Sequence, residues 1–233
     1  MKNTAMRLIA LFLIFVGLAP SHRALAESAP AVVGYFSLEG QDQFEKNIKP
    51  LFNEFKGACK NCEIVNLTPY DEKGSYAEKG LLAKMKNPPA GVQIFLFSWN
   101  KRVNEQNKEL VSGLGEKVES GTLIIAPTGQ AAAGEPGVAL SRTIMGQAKD
   151  VIIIGEALER ERLLPQSYFG PEMLTALRAP KNYVGQGYSP LYFAARLAGI
   201  WDKRKAGEWI QHFKSKKLKS RKIWLDADDL LGR

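Results

Sequence analysis

The amino-acid sequence predicts an α/β protein with three layers, in which helices cover both faces of a mostly parallel central sheet. Several short runs, such as residues 92–98 and 151–155, are apolar almost throughout. Such runs are typical of strands that are buried on both faces. Between them lie segments with apolar residues at helical spacing, such as residues 44–55. This alternation indicates parallel strands joined by helical crossovers.

The predicted elements follow one another in a regular order. Strands are expected at residues 31–36, 62–67, 92–98, 122–126 and 151–155, and helices at residues 44–55, 76–85 and 105–119 and after Pro190. A glycine or proline stands shortly after each of the first three helices, at Gly57, Pro88 and Gly121, where a helix stop is expected. The last helix follows the turn Gly185-Gln186-Gly187.

The first 26 residues have the features of a secretory signal peptide. Lys2 and Arg7 supply the positive charge, and residues 8–19 form an apolar run that is too short for a stable membrane span. The small residues Ala24 and Ala26 predict cleavage after Ala26. We therefore expect an exported protein, periplasmic or secreted, without a transmembrane segment.

Residues 27–233 are expected to form one domain with a sizeable core. The formal net charge of the whole chain is +8, and removing Lys2, Arg7 and Arg23 leaves 29 basic and 24 acidic residues. An excess of this size does not by itself indicate a nucleic-acid partner. The hydrophobic content of 45% argues against a disordered chain.

The two cysteines, Cys59 and Cys62, stand in the pattern C-K-N-C. Redox-active CxxC pairs usually open a helix that follows a strand, where the helix dipole lowers the thiol pKa. Here the pair follows a predicted helix and precedes a strand, so a local disulfide that pins a turn is favoured, and thiol–disulfide exchange is the weaker alternative. Two cysteines without nearby further ligands do not predict a metal site, and no cofactor is expected.

Seven segments between residues 91 and 227 follow one another in a recognisable order. They are GVQIFLFS (91–98), ESGTLIIAPTGQ (119–130), DVIIIG (150–155), SYFGPE (167–172), RAP (178–180), VGQGYSPLYFAARLAG (184–199) and WLDA (224–227). In this order they resemble segments of the subtilisin-like serine peptidases (peptidase S8/S53), including "A-S-G-V-L-V-V-A-A-A-G-N" and the nucleophile segment "G-T-S-M-A-x-P-x-V-A-G". The resemblance implies a subtilisin-like fold with a shortened N-terminal half.

The resemblance also indicates where the catalytic groups of that family would stand. With Pro190 matched to the family's proline, the nucleophile position falls on Gln186, or on Gly187 if one residue is inserted. The position of the acid falls at the end of the first strand, near Phe36, and that of the oxyanion asparagine falls on Gln130. None of these four residues can serve as a hydroxyl nucleophile or as a carboxylate.

The family's histidine motif is absent. The one histidine after residue 26 is His212, which we expect to be a partly exposed residue of a C-terminal helix. Ser189 precedes Pro190 and is expected to cap a helix that begins there. The sequence therefore predicts a subtilisin-like domain that has lost its catalytic residues, a pseudo-peptidase. The alternative is a divergent secreted serine endopeptidase with a rebuilt active site.

Such a domain could still bind a protein or peptide. In the resembled family the substrate is held as an added strand along the segment that follows the serine matched by Ser98. The corresponding residues, Ser98, Trp99 and Asn100, therefore form a candidate peptide-binding edge. Trp99 is either an anchor for the peptide or a structural aromatic residue.

A basic run near the C terminus is a candidate anion-binding surface, for example for an anionic envelope surface. Its cations are Lys214, Lys216, Lys217, Lys219, Arg221 and Lys222. Such runs are more often solvated faces, and the lack of interleaved aromatic residues argues against nucleic acid. The carboxylates Glu156, Glu159 and Glu161 could suit glycoside hydrolysis, but their alternation with Arg160 and Arg162 favours a salt-bridged surface.

Overall fold

Strands and helices alternate along the chain in this structure, a computed structural model. It describes residues 31–132, 135, 137–158, 163–164, 166–180, 183, 185, 187–202, 204–220 and 227–232, without the side chains of 218–220. The strands are β1 (Val32–Phe36), β2 (Glu63–Asn66), β3 (Val92–Phe97), β4 (Leu123–Pro127), β5 (Ile152–Glu156) and β6 (Met173–Leu177).

The helices of the described residues differ widely in length. They are α1 (Gln41–Gln43), α2 (Lys49–Phe55), α3 (Leu81–Lys86), α4 (Lys108–Glu119), α5 (Ile144–Gln147), α6 (Tyr188–Ala198), α7 (Ala206–Ser220) and α8 (Ala227–Leu231). A π-helical turn, Phe44–Ile48, joins α1 to α2, and short 3₁₀ helices, Glu78–Gly80 and Leu140–Arg142, precede α3 and α5. Within the part of the chain that the structure describes, no helix is both long enough and apolar enough to span a bilayer.

The six strands form one parallel sheet in the order β2-β1-β3-β4-β5-β6. Helices pack on both of its faces. Phe52 of α2 and Phe193 of α6 belong to the core on one face, and Leu81 of α3 and Leu114 of α4 belong to the core on the other. The predicted three-layer α/β architecture is therefore confirmed.

The chain reverses its direction of travel across the sheet between β1 and β3. From β1 it moves outward to β2, and it then returns past β1 to β3 and continues to β6. Helix α2 follows β1 on one face, whereas α4 follows β3 on the other. Crossovers that leave in opposite directions open a crevice at the carboxyl ends of the two strands, where doubly wound proteins bind their ligands. This crevice lies beside Ser37 and Ser98, which directly follow β1 and β3.

Some elements differ from the sequence prediction for identifiable reasons. The helix expected at residues 76–85 begins later, because Tyr76 forms an isolated antiparallel bridge with Tyr70. The helix expected at residues 105–119 begins at Lys108, after a turn in which Asn104 Oδ1 accepts hydrogen bonds from backbone amides. Strand β6 has no counterpart among the predicted elements. The polar residue Thr175 interrupts the short apolar run of this strand, although Thr175 is buried in the structure.

The cysteines of the C-K-N-C pattern form the expected local disulfide. The α-carbons of Cys59 and Cys62 are 5.6 Å apart, and the pair connects the end of α2 to the start of β2. Cys62 Sγ lies 3.0 Å from the carbonyl oxygen of Ala198 at the end of α6. The disulfide therefore fixes this turn against the C-terminal end of α6.

Candidate functional site

Three hydroxyl groups meet at the carboxyl ends of β1 and β3. The side chain of Tyr35 is buried and hydrogen-bonds to the side chains of Ser98 and Ser37. Burial raises the pKa of Tyr35 to about 12, although both serine hydrogen bonds oppose the rise. Tyr35 is therefore neutral at physiological pH, and the group can donate and accept hydrogen bonds without carrying charge.

Phe36, at the position predicted for the catalytic acid, is a core residue. Its side chain is fully buried on the opposite face of the sheet from Tyr35. The Phe36 ring stacks on Phe97 at a centroid distance of 4.7 Å and meets Phe95 edge-on at 5.2 Å. The next residue, Ser37, accepts a hydrogen bond from the Glu39 amide at 2.9 Å.

A glycine turn brings the start of α6 close to the end of β3. Gly187 precedes α6 with φ of 97°, a conformation that favours glycine. A β-carbon built on Gly187 would lie 3.4 Å from the β-carbon of Ser98, so the two segments approach closely. Gln186, the predicted nucleophile position, lies outside the described residues. Its neighbours Gly185 and Gly187 contact Glu156 and Ser98 respectively.

Ser189 is an anchor for α6 and does not cap it, so the sequence prediction for this residue is wrong. The cap position belongs to Gly187, because its left-handed conformation allows the helix to begin at Tyr188. The hydroxyl of Ser189 is fully buried and donates a hydrogen bond to the Leu177 carbonyl oxygen at 2.8 Å. It therefore ties α6 to the end of β6 and is shielded from solvent.

A buried carboxyl group at the end of β5 was not expected from the sequence. Glu156 is only 5% exposed, so it does not belong to a salt-bridged surface, as the alternation of charges had indicated. Its Oε1 accepts a hydrogen bond from the Gly185 amide at 2.6 Å, and its Oε2 is buried without a partner among the described residues. Burial raises the pKa of Glu156 to about 7, opposed by the Gly185 hydrogen bond.

The position of Glu156 directly after the apolar run 151–155 was the available indication that it continues a buried strand. The neighbouring residues Glu159, Arg160, Glu161 and Arg162 lie outside the described residues. The structure therefore does not bring a pair of carboxylates together in the part of this segment that it describes.

Gln130, the predicted oxyanion position, is exposed and follows β4 at the same edge of the sheet. It forms an isolated antiparallel bridge with Ser167. The preceding Gly129 has φ of 85°, and a β-carbon there would lie only 2.5 Å from the Asn100 carbonyl oxygen. The Tyr168 amide donates a hydrogen bond to the Gly129 carbonyl oxygen at 3.0 Å. This packing holds the backbone in place beside Gln130.

The candidate peptide-binding edge offers its main chain more than its side chains. Trp99 is 4% exposed and meets the Phe97 ring edge-on at 5.3 Å, which makes it a structural aromatic residue. Asn100 is also buried, and its Nδ2 donates a hydrogen bond to the Thr128 carbonyl oxygen at 2.9 Å. Among the described residues, however, no backbone hydrogen bond joins the main chain of Trp99 or Asn100 to another main chain.

Two exposed apolar side chains lie in loops at the carboxyl ends of the strands. Leu38 is 40% exposed and Phe169 is 57% exposed, and these are the exposed large hydrophobic side chains of the described residues. Leu38 follows the end of β1. Phe169 follows Tyr168, whose amide is bonded to the loop after β4. Both therefore lie in loops near the carboxyl ends of the strands.

His212 lies towards the opposite edge of the sheet. Its Nε2 is 3.1 Å from the Leu230 carbonyl oxygen in α8. Lys214, which lies in α7 as His212 does, pairs with Asp150, two residues before β5, at 2.6 Å. Helix α8 is also tied to the C-terminal end of α6 by the 2.8 Å bond between Arg196 and Asp228. Since α6 starts beside Ser98 and is about 16 Å long, the imidazole is far from that serine.

The basic run is partly engaged within the protein. Lys214 forms the ion pair with Asp150, and Lys217 Nζ donates a hydrogen bond to the Met173 carbonyl oxygen. Burial lowers the pKa of Lys217 below its usual range. Lys216 is half-buried, whereas the side chain of Lys219 and all of Arg221 and Lys222 lie outside the described residues. The described part of the run therefore does not form a freely exposed cationic surface.

Three solved structures that are similar to this chain are proteases. A cold-adapted subtilisin-like serine proteinase has a TM-score of 0.51 at 12% identity, with 88% of this chain and 81% of that chain covered. A lanthipeptide protease has a TM-score of 0.51 at 13% identity, covering 86% and 77%. A protease from Pseudoalteromonas arctica has a TM-score of 0.55 at 11% identity, covering 76% and 64%.

No protein-family model matches the chain, and no curated protein matches it in sequence. The structural similarity is therefore found at an identity that establishes the fold and not the activity. Together with the parallel sheet and the glycine turn before α6, it shows that the chain has a subtilisin-like α/β fold.

Proposed function

We propose that this chain is an exported, catalytically inactive subtilisin-like domain that binds an extended peptide or protein segment at the carboxyl edge of its sheet. The position of His212 carries the proposal. It is the one histidine in residues 27–233. Its Nε2 lies 3.1 Å from the Leu230 carbonyl oxygen, towards the edge of the sheet opposite to the carboxyl ends of the strands. A serine–histidine–aspartate mechanism needs an imidazole within about 3 Å of the nucleophile.

Other residues of the site support the same proposal. The acid position is occupied by the core residue Phe36, and the Ser189 hydroxyl is committed to the Leu177 carbonyl oxygen. The hydroxyls of Tyr35 and Ser98 hydrogen-bond to each other. These groups can orient a bound main chain, but they supply no base of the kind that activates a serine.

The binding role rests on the main chain of Trp99 and Asn100, which no backbone hydrogen bond of the described residues engages, and on the exposed apolar side chains of nearby loops. An extended segment placed along this edge would gain main-chain hydrogen bonds with little dependence on its sequence. Leu38 and Phe169 would lose exposed apolar surface on contact with it, which is favourable in water. The ligand that fits best is therefore an extended peptide with apolar side chains.

Retention of a mixed peptide library on the immobilised protein tests the binding role. Because burial of one large apolar side chain contributes roughly 1.5–3 kcal/mol, Leu38→Asp and Phe169→Asp should each reduce retention about tenfold or more. The control is Ala58→Asp, an exposed change near the start of β2 and hence at the other edge of the sheet. Retention that is the same in all four proteins would contradict the proposed site.

Export is supported by the Cys59–Cys62 disulfide, because disulfides persist mainly in oxidising compartments. We propose that residues 27–233 form the exported domain. Mass spectrometry of the expressed protein should find a chain that starts at Glu27 outside the cytoplasm. A chain that is retained in the cytoplasm with Met1 or its neighbour still present would contradict this part of the proposal.

Glu156 favours a second candidate, a divergent serine endopeptidase with a rebuilt active site. A carboxyl group whose pKa is raised to about 7 is suited to general base catalysis near neutral pH. Glu156 also lies beside the turn that carries the predicted nucleophile position. If this candidate is correct, proteolysis will be measurable and Glu156→Gln will abolish it. If the native chain shows no proteolysis, the binding role remains the better proposal.

A further inference from the structure

Strand β2 is an edge of the sheet, and a lysine-lined groove runs beside it. β2 pairs with β1 on one side, and on its other side no strand of the described residues pairs with it. The groove has a volume of about 360 Å³. It is lined by Lys49, Asn53, Lys56, Lys60 and residues 62–65. This groove lies away from residues 98–100, so nothing in the proposed function accounts for it.

The main chain of β2 has unpaired groups on the groove side. The amides of Glu63 and Leu67 donate hydrogen bonds to carbonyl oxygens of the β1 segment at 3.3 and 2.9 Å. Because successive residues of a strand direct these groups to opposite sides, the backbone N–H and C=O of Ile64 and Asn66 point away from β1. They are therefore available to a further strand.

A lysine of α2 marks this free side of β2. The Cys62 carbonyl has the same orientation as the backbone of Ile64 and Asn66, and it accepts a hydrogen bond from Lys56 Nζ at 2.9 Å. The ammonium group of Lys56 is thus held at one end of the unpaired edge, next to the residue that precedes Glu63 and Ile64.

The charges of the groove favour an acidic occupant. Three of its lining residues are lysines, and Glu63 is the acidic residue among them. Lys49 and Lys56 are two turns apart in or next to α2, which places their α-carbons about 10 Å apart. Alternate residues of an extended chain are about 6.6 Å apart and lie on the same face. Acidic side chains on one face of an added strand therefore match the sign of these lysines, one of which, Lys49, also pairs with Glu45 at 3.0 Å.

We propose that an extended acidic peptide segment of a partner protein adds to β2 as a further strand. Its main chain pairs with Ile64 and Asn66, and acidic side chains on one of its faces meet Lys49, Lys56 and Lys60. The main-chain pairing provides affinity, and the lysines select acidic sequences over neutral or basic ones. This proposal does not depend on the binding edge at residues 98–100.

The test uses the full exported chain and a capped peptide in which glutamate and valine alternate over seven residues. Titration followed by amide NMR should show saturable shifts at Ile64 and Asn66 and slowed hydrogen exchange at both amides. A matching lysine–valine peptide should give no shifts. The double variant Lys49→Gln/Lys60→Gln should weaken the affinity about tenfold at low salt, because exposed charge contacts are modest individually. Lys84→Gln/Lys86→Gln in α3 is the matched control and should bind as the native chain does.

N-methylation of the peptide separates strand addition from charge attraction alone. Methyl groups on the alternate amides that face β2 should abolish binding, whereas methyl groups on the other amides should leave it within about twofold. Equal effects of the two methylated peptides would overturn the proposal, as would a failure of the glutamate peptide to bind. Shifts confined to Trp99 and Asn100 would also overturn it, because the peptide would then occupy the other edge.

Discussion

Burial determines the chemistry of the individual residues at the carboxyl edge. Tyr35 keeps its proton because its hydroxyl is removed from water, and Glu156 has a raised pKa for the same reason. Glu156 nevertheless retains one strong hydrogen bond, from the Gly185 amide. A single side chain thus connects the end of β5 to the turn before α6, and its protonation state should affect the stability of the whole domain.

The pH dependence of stability provides a test of this residue. The pKa of Glu156 is raised from 4.5 to about 7 in the folded protein. The native state therefore binds the proton more tightly than the unfolded state does between these two values. Stability from this group is fully present below about pH 4.5 and falls as pH rises towards 7, in total by roughly 3 kcal/mol.

Glu156→Gln keeps an oxygen that can accept the Gly185 hydrogen bond but cannot ionise. In urea unfolding measured across this pH range, the variant should lack this part of the pH dependence and should be more stable than the native protein at about pH 8. Glu109→Gln, an exposed change in α4, should leave the slope unaltered. If Glu156→Gln has the same slope as the native protein, Glu156 does not ionise in this window.

Ser189 provides a second prediction for a single residue. Ser189→Ala removes the hydrogen bond to Leu177 and leaves a buried carbonyl oxygen without this donor. Because the Leu177 carbonyl oxygen still accepts a hydrogen bond from the Ala157 amide, the free energy of unfolding should fall by about 0.5–1.5 kcal/mol, as measured by urea titration. Peptide retention at the carboxyl edge should remain, because the hydroxyl is buried and cannot touch a ligand. A loss of retention in a folded variant would contradict this structural role.

The elements show why the sequence predicted most of the fold. The five predicted strands have long apolar side chains on both faces, and the observed β1 to β5 match them within a few residues. Strand β6 was missed because its polar residue, Thr175, is buried by tertiary packing that a local pattern does not reveal. The start of α6 was misplaced because Pro190 was taken as the helix start, whereas the backbone of Gly187 decides it.

The disulfide links two elements, and its contribution can be measured. It closes a loop between Cys59 and Cys62, which are separated by three positions. For so short a loop, the restriction of the unfolded chain contributes about 2 kcal/mol. Thermal unfolding with a reductant should therefore show a lower Tm than unfolding without it, by roughly 4–8 °C at this size. The double variant Cys59→Ala/Cys62→Ala should be insensitive to the reductant. If the native protein is equally insensitive, the pair does not stabilise the fold.

At the scale of the whole molecule, the candidate site follows from the topology as well as from the resemblance. The sheet order places its switch point between β1 and β3, where Tyr35, Ser37 and Ser98 meet. The resemblance located Ser98 and the glycine turn at this place from sequence patterns alone. The burial of Asn100 could not be predicted, because it depends on residues 128 and 143–145 from distant parts of the chain.

The lysine groove at β2 also belongs to this scale. It forms because the chain ends its sheet at β2 on one side and packs α2 beside that edge. No local pattern in residues 49–65 predicts that Lys49, Lys56 and Lys60 line a common groove. One proposed binding region thus lies at the carboxyl ends of the strands, and the other lies along β2, the outermost strand. Each can be tested without the other.

Labelling with a fluorophosphonate probe tests the central claim most directly. A purified chain of residues 27–233 would be incubated with the probe near neutral pH and analysed by intact mass, beside an active subtilisin as a positive control. We predict that the subtilisin is labelled and that this chain gains no mass, because its one histidine after residue 26 lies far from Ser98. Stoichiometric labelling of one serine, abolished by Glu156→Gln or by a change at His212, would contradict the account and show a rebuilt active site.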